Sequence, residues 1–108
     1  MKLPTEVFGD VVVVHTPEEL GGDLAGQLEE FLTTLERSNV IVDLDGSETI
    51  DSAGLESLVN AQEALKALGG DLKISTHNTA NRKIMEITRL DQHLEVFDTV
   101  IDAVKSFA

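Results

Sequence analysis

The segment Val40-Ile41-Val42-Asp43-Leu44 constrains the fold of this chain more than any other. It is apolar almost without interruption, so as a strand it offers hydrophobic side chains to both faces of a sheet, and both faces need cover. Before it, Leu24, Leu28, Phe31, Leu32 and Leu35 fall on one helical stripe. After it, Leu55, Leu58, Val59 and Leu65 form a second stripe, with Ala61 and Ala64 allowing close approach, and Gly69-Gly70 ends that helix. Strands separated by helix-length segments are joined by crossovers, and crossovers link parallel strands.

The remaining segments extend the same alternation. Val11–His15 is β-branched and follows the Gly9-Asp10 turn signal, so it reads as a strand, with Leu3–Phe8 as its hairpin partner. Thr16-Pro17-Glu18-Glu19 breaks it, Gly21-Gly22 permits a turn, and Asp23 is placed to cap the first helix, which is expected to end near Arg37-Ser38-Asn39. Leu72–Ser75 is a third core strand. Asn78 or Thr79 caps a third helix with Ala80, Ile84 and Ile87 inward. Val96-Phe97 adds an edge strand, and Asp98 or Thr99 caps a last helix striped by Val100, Ile101, Val104 and Phe107. The order predicts a single α/β domain over residues 1–108, with a small, mixed, mostly parallel sheet and helices mainly on one face.

Composition removes several classes of function. The chain has 108 residues, no Cys, 20 acidic and 8 basic side chains, and a net charge of −12. Without cysteine there is no disulfide framework and no thiolate metal site. An acidic chain repels a polyphosphate backbone, so nucleic acid is not expected as a partner. The longest purely apolar run, Val11-Val12-Val13-Val14, is far shorter than a bilayer span, and MKLPTEVFGD lacks a signal-peptide core, so a cytoplasmic protein without membrane partners is expected. The charge is uneven: residues 1–64 carry 14 acids and 2 bases, and residues 65–108 carry 6 of each.

In open α/β sheets, binding groups gather beyond the carboxyl ends of strands. Here that rule points to residues 43–55, which concentrate Asp43, Asp45, Glu48 and Asp51, three hydroxyls and two glycines. Asp51 is placed as an N-cap and Ser52 as the first helical residue, its hydroxyl beside free backbone N–H groups that favour an added anion. A phosphoryl group on Ser52 would bring a charge of about −1.5 to −2 next to Asp51, Glu48 and Asp45, turning an acidic contact into a repelling one. Gly54 would leave room for close docking, and Ala53 lies between them. The plain alternative is a helix cap and nothing more. Thr49 is a weaker acceptor candidate.

Three stretches together, Ile41-Val42-Asp43-Leu44, Ile50-Asp51-Ser52-Ala53-Gly54-Leu55 and Leu68-Gly69-Gly70, resemble the STAS domain family, which contains the bacterial anti-sigma factor antagonists. Ile87-Thr88-Arg89-Leu90-Asp91 also resembles that family's C-terminal segment. The resemblance implies helices packed mainly on one side of a small sheet, and regulation without catalysis by this chain. It implies that Ser52 is phosphorylated by an anti-sigma factor with serine kinase activity, which supplies ATP and Mg²⁺. The unphosphorylated form would bind that partner through Asp45, Glu48, Asp51, Ser52, Ala53 and Gly54 and free the sigma factor. The turn at Thr16–Asp23 departs from the Gly-x-Leu-Asp-like pattern of the family, so recognition there is expected to differ. A STAS module that is never phosphorylated, acting as a scaffold or transport-complex subunit, is the alternative within the family.

Asp43-Leu44-Asp45-Gly46-Ser47 also looks like the Asp-x-Asp-Gly-Thr nucleophile loop of haloacid-dehalogenase-type phosphatases, with Asp43 attacking phosphorus and Asp45 as general acid/base. Against it, the loop follows 42 residues rather than opening the chain, and the downstream metal motif is missing because Ser75 stands four residues after Asp71. His15, His77 and His93 form no H-x-H or H-x-x-x-H pair, so no metal or other cofactor of this chain's own is expected. Arg82, Lys83 and Arg89 read as solvated positions around the third helix.

Overall fold

A computed structural model describes residues 1–107. In chain order the elements are β1 (Thr5–Phe8), β2 (Val11–His15), β3 (Glu19–Leu20), α1 (Leu24–Thr33), β4 (Asn39–Asp43), β5 (Thr49–Ile50), α2 (Ser52–Ala67), β6 (Asp71–Ser75) and α3 (Thr79–Ile87). A 3-10 turn at Leu90–Gln92, β7 (Val96–Phe97) and α4 (Val100–Lys105) complete the fold.

The apolar run becomes β4, the centre of a five-stranded sheet of order β1-β2-β4-β6-β7. β1 pairs antiparallel with β2, and every other neighbour is parallel. Strand alternation divides the side chains between two cores. Val12, Val14, Val40, Val42, Leu72 and Ile74 face α1 and α2, meeting Leu28, Leu32, Leu55, Leu58 and Leu65, with Met85 of α3 in the same cluster. Val11, Val13 and Ile41 point the other way and are covered by Val100, Ala103, Val104 and Phe107. Three helices thus cover one face and α4 alone the other. Fully burying a Val or Ile side chain is worth about 1.5–3 kcal/mol, and Val11, Val13 and Ile41 keep that burial while α4, though short, stays docked. Lys73 shares that second face. Its ammonium donates to Ser106 Oγ at 2.8 Å and sits 4.3 Å from the centre of the Phe107 ring.

Local details differ from the periodicity. Helix α1 stops at Thr33, short of Arg37-Ser38-Asn39, where the Thr33 and Thr34 hydroxyls bond back to the Glu29 and Glu30 carbonyls. Asp23 makes no side-chain cap; the Gly21 and Gly22 carbonyls take the N–H groups of Leu24 and Ala25 instead. In α3, Ala80 and Ile87 face solvent, and the inward positions are Asn81, Ile84 and Met85. In α4, the covered stripe is Val100, Ala103, Val104 and Phe107, spaced i, i+3, i+4, i+7, and Ile101 falls outside it. β3 and β5, two residues each, form a separate parallel pair with no precedent in the periodicity. Among the described residues no helix is long and apolar enough to cross a membrane.

Candidate functional site

Asp51 is the pivot of the 43–55 segment. Its backbone is extended (φ −99°), and its Oδ1 accepts from the N–H of Gly54 at 2.9 Å, capping α2. Its Oδ2 accepts from the N–H of Gly22, also at 2.9 Å. The Thr16–Asp23 turn is therefore fastened to the start of α2. The β3–β5 pair adds to this, as do two backbone bonds, Glu48 N–H to the Glu18 carbonyl (2.8 Å) and Asp51 N–H to the Leu20 carbonyl (3.1 Å).

Two glycines make the approach possible. A Cβ on Gly54 would lie 2.5 Å from the Leu20 carbonyl oxygen, and one on Gly21 would run into the Asp51 carboxylate. The space that Gly54 leaves is thus filled by the chain's own β3. Gly54 is buried, and its role corrects the expectation of an opening for a partner. Ser52, by contrast, is exposed at the first position of α2, with Ala53 half-buried behind it. Beside them runs an open groove of about 410 Å³ between Gly21–Leu24 and Thr49–Asp51. Glu19, Asp23 and Asp51 line it and no basic side chain does.

The loop before Ser52 is held from beneath by side chains that sequence reasoning missed. Ser47, fully buried, donates to the Pro17 carbonyl at 2.5 Å and lies 2.5 Å from the Thr16 hydroxyl. Asn81 of α3, 1 % exposed, donates to both the Leu44 and Ser47 carbonyls at 3.1 Å. Only the chemistry of the loop hinted at this: buried turn carbonyls need donors, and an Asn on a helix face that points inward supplies two N–H bonds.

The acidic residues are not equivalent. Glu48 is exposed near the groove. Asp45 accepts from the His77 N–H at 2.6 Å, which turns it toward the end of β6 rather than toward Ser52. Asp43, on the α4 face of the sheet, accepts from His15 Nδ1 at 2.8 Å through one oxygen and from the Asp45 N–H at 3.0 Å through the other. Asp43 and Asp45 therefore point their carboxylates at different partners within the chain, unlike the converging pair that a phosphatase loop needs. No group of three or more His, Asp or Glu side chains among the described residues is arranged to hold a metal ion. Arg82 pairs with Asp98 at 2.5 Å, and Lys83 and Arg89 are exposed.

A mostly parallel sheet whose central strand leads through a polar loop to an exposed Ser at a helix start matches a known family. The chain belongs to the STAS domain family, whose model matches residues 2–103. A protein of Thermotoga neapolitana named "Putative anti-sigma factor antagonist TM1081 homolog" is 26% identical over 107 residues, 94% of each chain. The crystal structure of an anti-sigma factor antagonist from Mycobacterium paratuberculosis superposes with a TM-score of 0.84 at 24% identity, covering 97% of this chain and 92% of that one. The Bacillus cell fate determinant SpoIIAA in its phosphorylated form does so at 0.73 and 18% identity, covering 99% of this chain and 100% of that one. These two structures share the fold.

Proposed function

We propose that this chain is an anti-sigma factor antagonist whose hold on its partner is set by phosphorylation of Ser52. As one STAS-like unit in the cytoplasm, it binds an anti-sigma factor with serine kinase activity and releases the sigma factor. The kinase brings ATP and Mg²⁺. Ser52 Oγ attacks the γ-phosphorus, the bond to ADP breaks, and the hydroxyl proton passes to a base on the kinase. The chain itself acts by binding.

The observation that carries the reading is the exposure of Ser52 directly beside Asp51, whose carboxylate is committed to Gly22 and Gly54. The hydroxyl is presented on a braced helix start, and its surroundings are acidic. A dianionic phosphate there adds to a segment that already carries Asp51 and the exposed Glu48, so the modification changes the charge of the contact surface more than its shape. The relatives named as anti-sigma factor antagonists support the same class of partner.

Incubation with the cognate kinase and ATP is expected to add one phosphate to the wild type and none to Ser52→Ala, read by intact mass. Ser52→Ala retains partner binding and Ser52→Glu weakens it. If the wild-type mass stays unchanged with every such kinase of the source organism, the switch fails and the unphosphorylated scaffold reading takes its place.

A further inference from the structure

We infer that Glu6, His15 and Asp43 form a proton-operated clasp that fastens the edge strand β1 to the end of β4, where the loop toward Ser52 begins. His15 Nε2 lies 2.6 Å from Glu6 Oε1, and its Nδ1 lies 2.8 Å from Asp43 Oδ2. Both partners are carboxylates, which only accept. A neutral imidazole has one N–H and donates to one of them; the imidazolium donates to both. Two short contacts to two carboxylates are therefore the geometry of the protonated ring.

The surroundings favour the same state. β1 brings Glu6 and β4 brings Asp43, while β6 brings the uncharged Ser75 into register beside Asp43. The charged residues of α4, Asp102 and Lys105, are exposed and do not bond to the ring. Burial on its own lowers the His15 pKa, but the hydrogen bonds and charges of Glu6 and Asp43 outweigh it and raise the pKa above 6.5. The folded chain thus holds this proton more tightly than the unfolded one. The clasp contributes fully below about pH 6.5 and is lost as pH rises through the folded value.

Its target is an edge strand. All four residues of β1 are exposed, so it rests on its pairing with β2, on Leu3 packed against the core just before it, on the Pro4 carbonyl that takes the His15 N–H, and on this clasp. Deprotonation leaves the ring a single N–H, so one carboxylate, Glu6 or Asp43, loses its donor while the other keeps it. A rise in pH therefore opens the clasp on one side, at the sheet edge or at the root of the Ser52 loop. The clasp stands on geometry independent of Ser52 modification.

Ring NMR of the intact protein, with denaturant midpoints across pH, tests it. The His15 ring is expected to titrate above pH 6.5, and Glu6→Gln, at a position 56 % exposed, to move that titration down. The gap in denaturant midpoint between wild type and His15→Gln is expected to be wide in mildly acidic buffer and to close in alkaline buffer. A His15 ring that titrates at or below 6.5, or a gap that stays constant across that range, overturns the clasp.

Discussion

Asp51 and Gly22, 29 residues apart in sequence, meet in one hydrogen bond of 2.9 Å. The other oxygen of the same carboxylate caps α2 at Gly54. One side chain therefore sets both the start of the helix that presents Ser52 and the wall of the groove beside it. Asp51→Ala removes both bonds and is expected to cost about 1–2 kcal/mol in urea denaturation. Asp51→Asn keeps a single accepting oxygen and so retains one bond, with a cost between those of wild type and Ala. Equal stability of all three proteins would show that the carboxylate bears no strain of the fold.

Glycine substitutions separate close approach from helix propensity. Gly54→Ala drives a methyl to 2.5 Å from a backbone carbonyl oxygen, that of Leu20, which cannot swing away as a side chain would. Overpacking of this kind costs about 1–3 kcal/mol. Gly26, inside α1, has nothing within 4 Å of its absent Cβ. Gly26→Ala is expected to stabilise the protein by about 0.5–1 kcal/mol, since Gly is the poorer helix former. Opposite signs in thermal unfolding of the two variants check the pair.

Asn81 is expected to matter more than its type suggests. Asn81→Leu keeps much of the volume but leaves the Ser47 carbonyl without its donor and the Leu44 carbonyl with the Ser47 N–H alone. An unsatisfied buried acceptor costs about 1–3 kcal/mol, and a loss in that range is expected. Hydrogen exchange at the Ser47 and Glu48 amides should quicken ahead of exchange in β4, because the loop loosens before the sheet. Uniform acceleration across the chain would place Asn81 in global stability alone.

What was legible in the sequence had a period or was local. β4 could be read because its apolar run leaves no alternation, and α1 and α2 because their stripes repeat over several turns. The Asp51 cap lies within four residues of its partner Gly54. The rest depends on contacts that no local pattern carries. Asp51 to Gly22, His15 to Asp43 and Asn81 to Leu44 join residues 28 to 37 positions apart. The two-residue strands β3 and β5 are too short to show a period. In α3 and α4 a few turns leave the inward face ambiguous, so periodicity places Ile87 and Ile101 in the core, whereas Met85 and Ala103 occupy it. Hydrophobicity alone misleads there because the loop draws the polar Asn81 inward.

The charge imbalance makes a last prediction about the proposed partner. Of the two bases in residues 1–64, Arg37 is turned to the Gly9 carbonyl, and neither lines the groove next to Ser52. Glu19, Asp23 and Asp51 line it, and Glu48 is exposed nearby. A protein that docks there meets a field of one sign, so its own contact surface is expected to carry Lys and Arg. Charges separated by more than about 8–10 Å are screened at physiological salt, whereas direct contacts persist. Raising ionic strength should therefore slow association more than it speeds dissociation. Glu19→Gln combined with Glu48→Gln should lower the association rate and flatten its salt dependence, measured by surface plasmon resonance against the anti-sigma factor. Binding whose rate and affinity hold constant from low to high salt would reduce the acidic half to a solvated surface, and recognition at Ser52 would then rest on shape.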